Sequence, residues 1–182
     1  VRTVKQKATT KRSNPPNTDF RRFYERGDLP IFVEHMPAGI RVKWELDDAV
    51  ASLNYNLYLP IFMSGLRETE EPYQSLALHG TLDMIEDAPS KVRKVVPQLA
   101  APIHTCLTTR EPKILRRVLL VLQTMVKSGA EYGVGEALVP YFRQILPILN
   151  IFKNHNEDLG DGIAYGQRKK ECLGDLISET LE

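Results

Sequence analysis

Apolar positions along this chain keep two different rhythms and, at one end, none. Ile114, Leu115, Val118, Leu119, Leu122, Met125 and Val126 step as one broad helix face. Gly129 supplies a stop. Leu120 and Val121 widen the apolar surface, so this helix is expected to be covered on more than one side. Pro72, Tyr73, Leu76, Leu78, Leu82 and Ile85 predict a second helix with proline in its first turn. Between residues 30 and 45 the rhythm changes. Ile40-Arg41-Val42-Lys43-Trp44 alternates apolar and basic, the period of a half-exposed strand, and the turn Met36-Pro37-Ala38-Gly39 separates it from Pro30-Ile31-Phe32-Val33-Glu34-His35. The pattern predicts a β-hairpin. Such a hairpin is marginal alone, so it must lean on the helices, with Trp44 as the wedge. Phe20, Phe23 and Tyr24 fall at i, i+3 and i+4 and predict a short helical turn docked on the body. Its arginines, Arg21, Arg22 and Arg26, are expected to stay outside to meet a partner.

Three segments look alike: Tyr58-Leu59-Pro60-Ile61-Phe62, Val95-Val96-Pro97-Gln98-Leu99 and Leu138-Val139-Pro140-Tyr141-Phe142. Their prolines are 37 and 43 residues apart, close to the roughly 40–47-residue period of HEAT and armadillo repeats. Each reads as a helix started by proline and followed by another helix. A proline in the first turn removes an N–H that has no intrahelical partner. Pro102 and Pro147 should kink or break their helices and so curve the stack. The fold class expected is therefore all-α, a HEAT/armadillo-like helical repeat over residues 20–182, with the hairpin at 30–45. Helix pairs of this kind bury their apolar faces on their neighbours and leave long outer faces for binding proteins.

Residues 1–19 show no periodicity, few large apolar side chains and the pair Pro15-Pro16, which predicts a disordered arm. It is basic through Arg2, Lys5, Lys7, Lys11 and Arg12, with Asp19 its one acid. The whole chain hides this: 24 Lys and Arg against 23 Asp and Glu leave a net charge of +1, so bulk charge does not mark a polyanion binder. The body shows no basic face in the sequence, which argues against nucleic acid. Of the 182 residues, 42% are hydrophobic, enough for a core without metal or disulfide support. Cys106 and Cys172 stand alone, as expected of buried thiols in a reducing compartment. No apolar run approaches the roughly 20 residues that span a bilayer, and no membrane partner is expected. The chain begins at Val1 and ends within an apolar helical pattern, as an excerpt of a longer protein would.

The residues of known chemistry are scattered. His35, His79, His104 and His155 lack zinc-site spacing, and His104 and Cys106 fall on different sides of a helix. The run from Asn154 to Gly162 lacks the ligand spacing of a calcium loop. It reads instead as a polar contact loop carrying Glu157, Asp158 and Asp161. Gly133-Val134-Gly135 lacks the remainder of a phosphate cradle. Asp47-Asp48 and Glu70-Glu71 read as helix N-terminal charge. A non-catalytic protein without cofactor or metal is expected.

Several blocks together resemble the Parkin co-regulated protein family. They are Phe20-Arg21-Arg22-Phe23-Tyr24-Glu25-Arg26-Gly27-Asp28-Leu29-Pro30-Ile31, Tyr58-Leu59-Pro60-Ile61-Phe62 with Gly65-Leu66, the block 137–154 around Leu138-Val139-Pro140-Tyr141-Phe142-Arg143-Gln144-Ile145-Leu146-Pro147, and Gly160-Asp161-Gly162-Ile163 with Gly174-Asp175-Leu176-Ile177. The resemblance implies a helical-repeat fold and residence in the cytoplasm and cytoskeleton, in the axoneme of cilia and flagella. There it implies a microtubule inner protein at the inner junction of the doublet, linking A- and B-tubules. The implied partners are alpha/beta-tubulin and a small β-sandwich flagella-associated protein, and in mammals a small meiosis-expressed protein. The hairpin tip Met36-Pro37-Ala38-Gly39 departs from the charged turn of relatives, and the family's closing segment after the last helix is absent from this sequence. The basic arm is expected to seek acidic tubulin surfaces. The other reading of the residues is a soluble adaptor that holds a small partner protein on its helical-repeat face.

Overall fold

Prolines sort the helices into two layers. The structure, a computed structural model, describes residues 7–37, 39–45, 50–154 and 173–181. After α1 (Asp19–Glu25) and the strands β1 (Ile31–Met36) and β2 (Gly39–Trp44) come α2 (Tyr55–Ser64), α3 (Tyr73–Asp87), α4 (Pro89–Thr108) and α5 (Pro112–Ser128). A short α6 (Val134–Leu138) leads to α7 (Phe142–Phe152) and α8 (Leu173–Leu181), with 3-10 turns at Gly65–Arg67, Ala130–Tyr132 and Val139–Tyr141 among the connections. The helices pair in sequence order, α2 with α3, α4 with α5, and α7 with α8. The pairs stack so that α2, α4 and α7 form one layer and α3, α5 and α8 the other. The body is thus predominantly helical, with one small antiparallel hairpin at its N-terminal end.

Helix α5 is the spine of the stack. It buries Ile114, Leu115, Val118, Leu119, Val121, Leu122 and Met125 against α3, α4, α6 and α8. Coverage on more than one side is therefore as its sequence implied. Val126, placed on the apolar face by its spacing, and Leu120, expected to widen that face, are both exposed. Gly129 caps the helix through its N–H to the Met125 carbonyl, 3.0 Å. Gly129 also packs against Val134: a Cβ there would meet Val134 Cγ2 at 2.3 Å.

The repeated prolines behave differently from the expectation. Pro60 lies inside α2 and Pro97 inside α4 rather than at a helix start; only Pro140 sits in a first turn, that of the 3-10 segment Val139–Tyr141. Pro102 and Pro147 do not break their helices, which run on through them. The physical reason is where the lost hydrogen bonds fall. Each interior proline strands the carbonyl four residues earlier, on Asn56, Arg93, Gln98 and Arg143, and all four residues are exposed, so water can take the bond. Pro89 and Pro112 are the prolines at true helix starts.

The hairpin forms as its alternation predicts, with Ile31 opposite Trp44 and Met36 opposite Gly39. Gly39 takes φ +124°, which favours glycine at the turn. Trp44 is the wedge: its ring lies 5.5 Å from that of Phe62, and its Nε1–H donates to Asp83 Oδ2 at 2.9 Å. Phe62 is fully buried and forms an edge contact with Phe20 at 5.2 Å. It therefore joins α1, the hairpin and the helical stack in one core.

Candidate functional site

Thr18 opens α1 by capping it: its Oγ1 accepts from the Arg21 N–H at 3.0 Å. The same hydroxyl donates to the carboxylate of Glu68, which is 2% exposed. Arg21 reaches Glu68 Oε2 at 2.5 Å and Glu70 Oε2 at 3.1 Å, and its guanidinium lies 4.2 Å over the Tyr73 ring. The hydrogen bonds that Arg21 donates to Glu68, more than the opposing cost of burial, raise the Arg21 pKa further above its ordinary range. From the other side Arg117 donates to the carbonyls of Leu66 and Glu68, at 2.8 and 2.7 Å, holding the Gly65–Arg67 turn in place. A buried carboxylate is costly unless paired, and here Thr18 and Arg21, both at the start of α1, pair it.

This geometry corrects the expectation for the arginines. Arg21 is turned into the body. Arg22, bonded to Asp19, and Arg26, paired with Asp28 at 2.9 Å and 4.7 Å over Phe23, are the ones left exposed. The aromatic docking holds: Phe20 is fully buried, while Phe23 and Tyr24 are half-buried against the core.

The arm also differs from the expectation of disorder over its described part. Residues 7–17 are extended, as the composition implied, but they lie along the body as a strap. Arg67 grips the strap, donating to Asn14 Oδ1 and Asn17 Oδ1 at 3.0 Å each and to the Pro15 carbonyl, while its own carbonyl accepts from Asn14 Nδ2 at 2.8 Å. Farther along, Arg12 N–H donates to the Thr109 carbonyl at 2.9 Å, and Arg110 Nη1 donates to the Ala8 carbonyl at 2.5 Å. Lys11 pairs with Glu111 at 2.6 Å. The physical reason is that Arg67 and Arg110 satisfy backbone carbonyls that a free arm would leave to water. The strap holds on mainly through its backbone and asparagines, so Lys7 and Arg12 keep their side chains in solvent. Releasing it should be measurable. Arg67→Ala is expected to speed trypsin cleavage after Lys11 and Arg12 by about tenfold, since each lost charged hydrogen bond is worth roughly 1.5 kcal/mol. An unchanged cleavage rate would show that Arg67 does not hold the strap.

Arg2 and Lys5 of the arm, and Glu157, Asp158 and Asp161 of the expected contact loop, lie outside the described residues, as do Asp47, Asp48, His155 and Cys172. Glu71 does act at a helix N-terminus, accepting from Ser75 Oγ and Gln74 Nε2 at 2.7 Å each in the first turn of α3. Cys106 is fully buried, its thiol pushed up to about 12 by burial, which makes it an inert core residue. His104 is exposed on the opposite side of α4. No group of three or more metal-ligating side chains occurs among the described residues.

Sequence reading missed Glu68, Arg67, Arg110 and Arg117. Their partners lie about 50 or about 100 positions away, so no local pattern marks them. Thr18 before the acidic Asp19 was the one available sign, being a capping residue ahead of first-turn acid. A charge pattern was missed too: α2, α4 and α7 contain no Asp or Glu, yet Arg93, Lys94 and Arg143 lie exposed on them. The body has a basic face after all.

A family profile described as Parkin co-regulated protein matches residues 18–182. Over 165 residues the chain is 50% identical to a mouse (Mus musculus) protein described as "Parkin coregulated gene protein homolog", covering 91% of this chain and 67% of that protein. The match begins at Thr18, the residue that caps α1 and bonds Glu68, so it spans the clasp formed by Thr18, Arg21 and Glu68, the hairpin and the helical stack. The chain belongs to the Parkin co-regulated protein family, non-catalytic microtubule-associated proteins of the ciliary and flagellar axoneme.

Proposed function

We infer that this chain is a structural tie of the doublet microtubule, linking A- and B-tubules at the inner junction, with its N-terminal strap seated on alpha/beta-tubulin. The observation that carries the reading is the strap itself. Its backbone is engaged by Arg67 and Arg110, so the side chains of Lys7 and Arg12 are presented outward from a fixed track. Pre-ordered cations meet an acidic surface with less entropy loss than a free arm would. Behind the strap, the stacked helix pairs support a HEAT/armadillo-like scaffold of fixed length, suited to spacing two walls. The resemblance of the sequence names the neighbours: a small β-sandwich flagella-associated protein along the junction, and in mammals a small meiosis-expressed protein.

Charge reversal at Lys7, Lys11 and Arg12 together is expected to weaken co-sedimentation with microtubules about tenfold at low salt and by less as salt rises. Unchanged binding at low salt would remove the strap from the tubulin interface. A second reading, an adaptor for a small partner protein, draws on the hairpin. Its outer face exposes Phe32 (56%) and Met36 (45%) beside Arg41 and Lys43. Capture of that partner in the absence of tubulin, lost on Phe32→Ser, distinguishes it.

A further inference from the structure

The layer built from α2, α4 and α7 has a regularity that the strap does not explain. Its four interior prolines, Pro60, Pro97, Pro102 and Pro147, leave without a helical N–H the carbonyls of Asn56, Arg93, Gln98 and Arg143. Every one of those four residues is exposed, and every one carries an amide or guanidinium side chain. Gln98 Nε2 donates to Asn56 Oδ1 at 3.3 Å, which places the positions on α2 and α4 side by side, and α4 packs on α7 in turn. The helices of this layer hold no acid, whereas α3 carries Asp83, Glu86 and Asp87 and α8 carries Asp175 and Glu179. The acids on the short segments packed against α4 are Glu131 and Glu136, and Glu136 reaches toward Gly133 beside Arg93.

We propose that the exposed face of this layer, centred on Arg93, Lys94 and Arg143 with Asn56 and Gln98, is a docking surface for an extended acidic polypeptide, the glutamate-rich tail of tubulin. The inference rests on the microtubule-binding reading above and adds a second contact, independent of the strap. Charge selects the acid side chains. The exposed guanidinium and amide donors of Arg93, Arg143, Asn56 and Gln98 can in addition meet the backbone carbonyls of such a peptide.

The test uses a fluorescein-labelled oligoglutamate peptide in anisotropy titrations, with the chain bearing Arg93→Glu, Lys94→Glu and Arg143→Glu, and separately the strap reversal at Lys7, Lys11 and Arg12. The face variant is expected to bind the peptide at least about tenfold more weakly, and the strap variant within about twofold of the parent. The substituted side chains are exposed, and circular dichroism checks that the fold is kept; the glutamine versions, expected to lose about threefold, stand in if charge reversal disturbs it. Microtubules stripped of their tails should bind the parent and the face variant alike. Equal peptide affinity in parent and face variant overturns the inference, as does displacement of the peptide by oligouridylate at equal charge as readily as by unlabelled oligoglutamate. Microtubule binding without any peptide binding overturns this inference and leaves the tubulin reading standing; loss of both overturns both.

Discussion

Phe62→Ala is expected to lower the unfolding free energy by about 3–5 kcal/mol, the cost of emptying a fully buried aromatic site. For a domain of this size that corresponds to a fall of roughly 6–20 °C in Tm. Three parts of the molecule meet at this ring: Phe20 from α1, Trp44 from the hairpin, and α3 through Gly80. The hairpin should therefore loosen with the core, and Trp44 fluorescence should shift toward that of a hydrated indole. The Gly80 contact makes the prediction sharper. A Cβ on Gly80 would stand 2.2 Å from Phe62 Cε1, so Gly80→Ala alone forces a helix and a buried ring apart and costs about 1–3 kcal/mol. In the Phe62→Ala background that obstruction is gone and the new methyl fills part of the void. The double variant should be more stable than the sum of the singles implies, with a coupling of about 1 kcal/mol or more. Simple additivity in chemical unfolding would show that the two sites are not in steric contact.

The second large effect is at Glu68. Removing its carboxylate leaves Arg21, which is largely covered, without its main counter-charge, and leaves the Thr18 hydroxyl without its acceptor. Breaking a buried pair from one side costs about 3–5 kcal/mol. The Arg21 side chain retains 16% exposure and keeps Glu70, so Glu68→Ala is expected at the lower end, about 3 kcal/mol. Glu68→Gln keeps an acceptor for both partners and should cost about half as much. Because the pair is covered, raising salt should change these losses little, unlike the strap's binding to microtubules. Equilibrium unfolding in urea at two salt concentrations measures both points. A Glu68→Ala variant as stable as the parent would mean that the clasp contributes nothing to holding α1. Its unfolding should also expose the strap, since Thr18 is the last anchored residue before the helix.

Much of this fold was legible in the chain because its signals are local. The alternation Ile40–Trp44 and the turn before it gave the hairpin, and the spacing from Ile114 to Met125 gave the buried face of α5. Pro60 and Pro97 marked the right layer but the wrong place in their helices, while Pro140 does sit in a first turn. Sequence offers a proline and its apolar neighbours, but whether a helix can continue through it depends on where the stranded carbonyl points, and that is set by packing. Pro60 and Pro97 lie mid-helix because Asn56 and Arg93 face outward. The strap was less legible still. Its composition is that of a disordered tail, and what holds it, Arg67 and Arg110, stands more than fifty residues away. Of the expected contact residues, Lys7, Lys11 and Arg12 come together on the strap, while Arg21 leaves the group for the interior.

The placement of the interior prolines has a mechanical consequence. All four missing helix hydrogen bonds fall on one side of the stack, in α2, α4 and α7, while α3, α5 and α8 have no proline inside them. A helix resists stretching of one edge through its i to i−4 bonds, and each proline deletes one of them. Bending that lengthens the proline side therefore meets less resistance than bending the opposite way. The molecule is a leaf spring with one soft face.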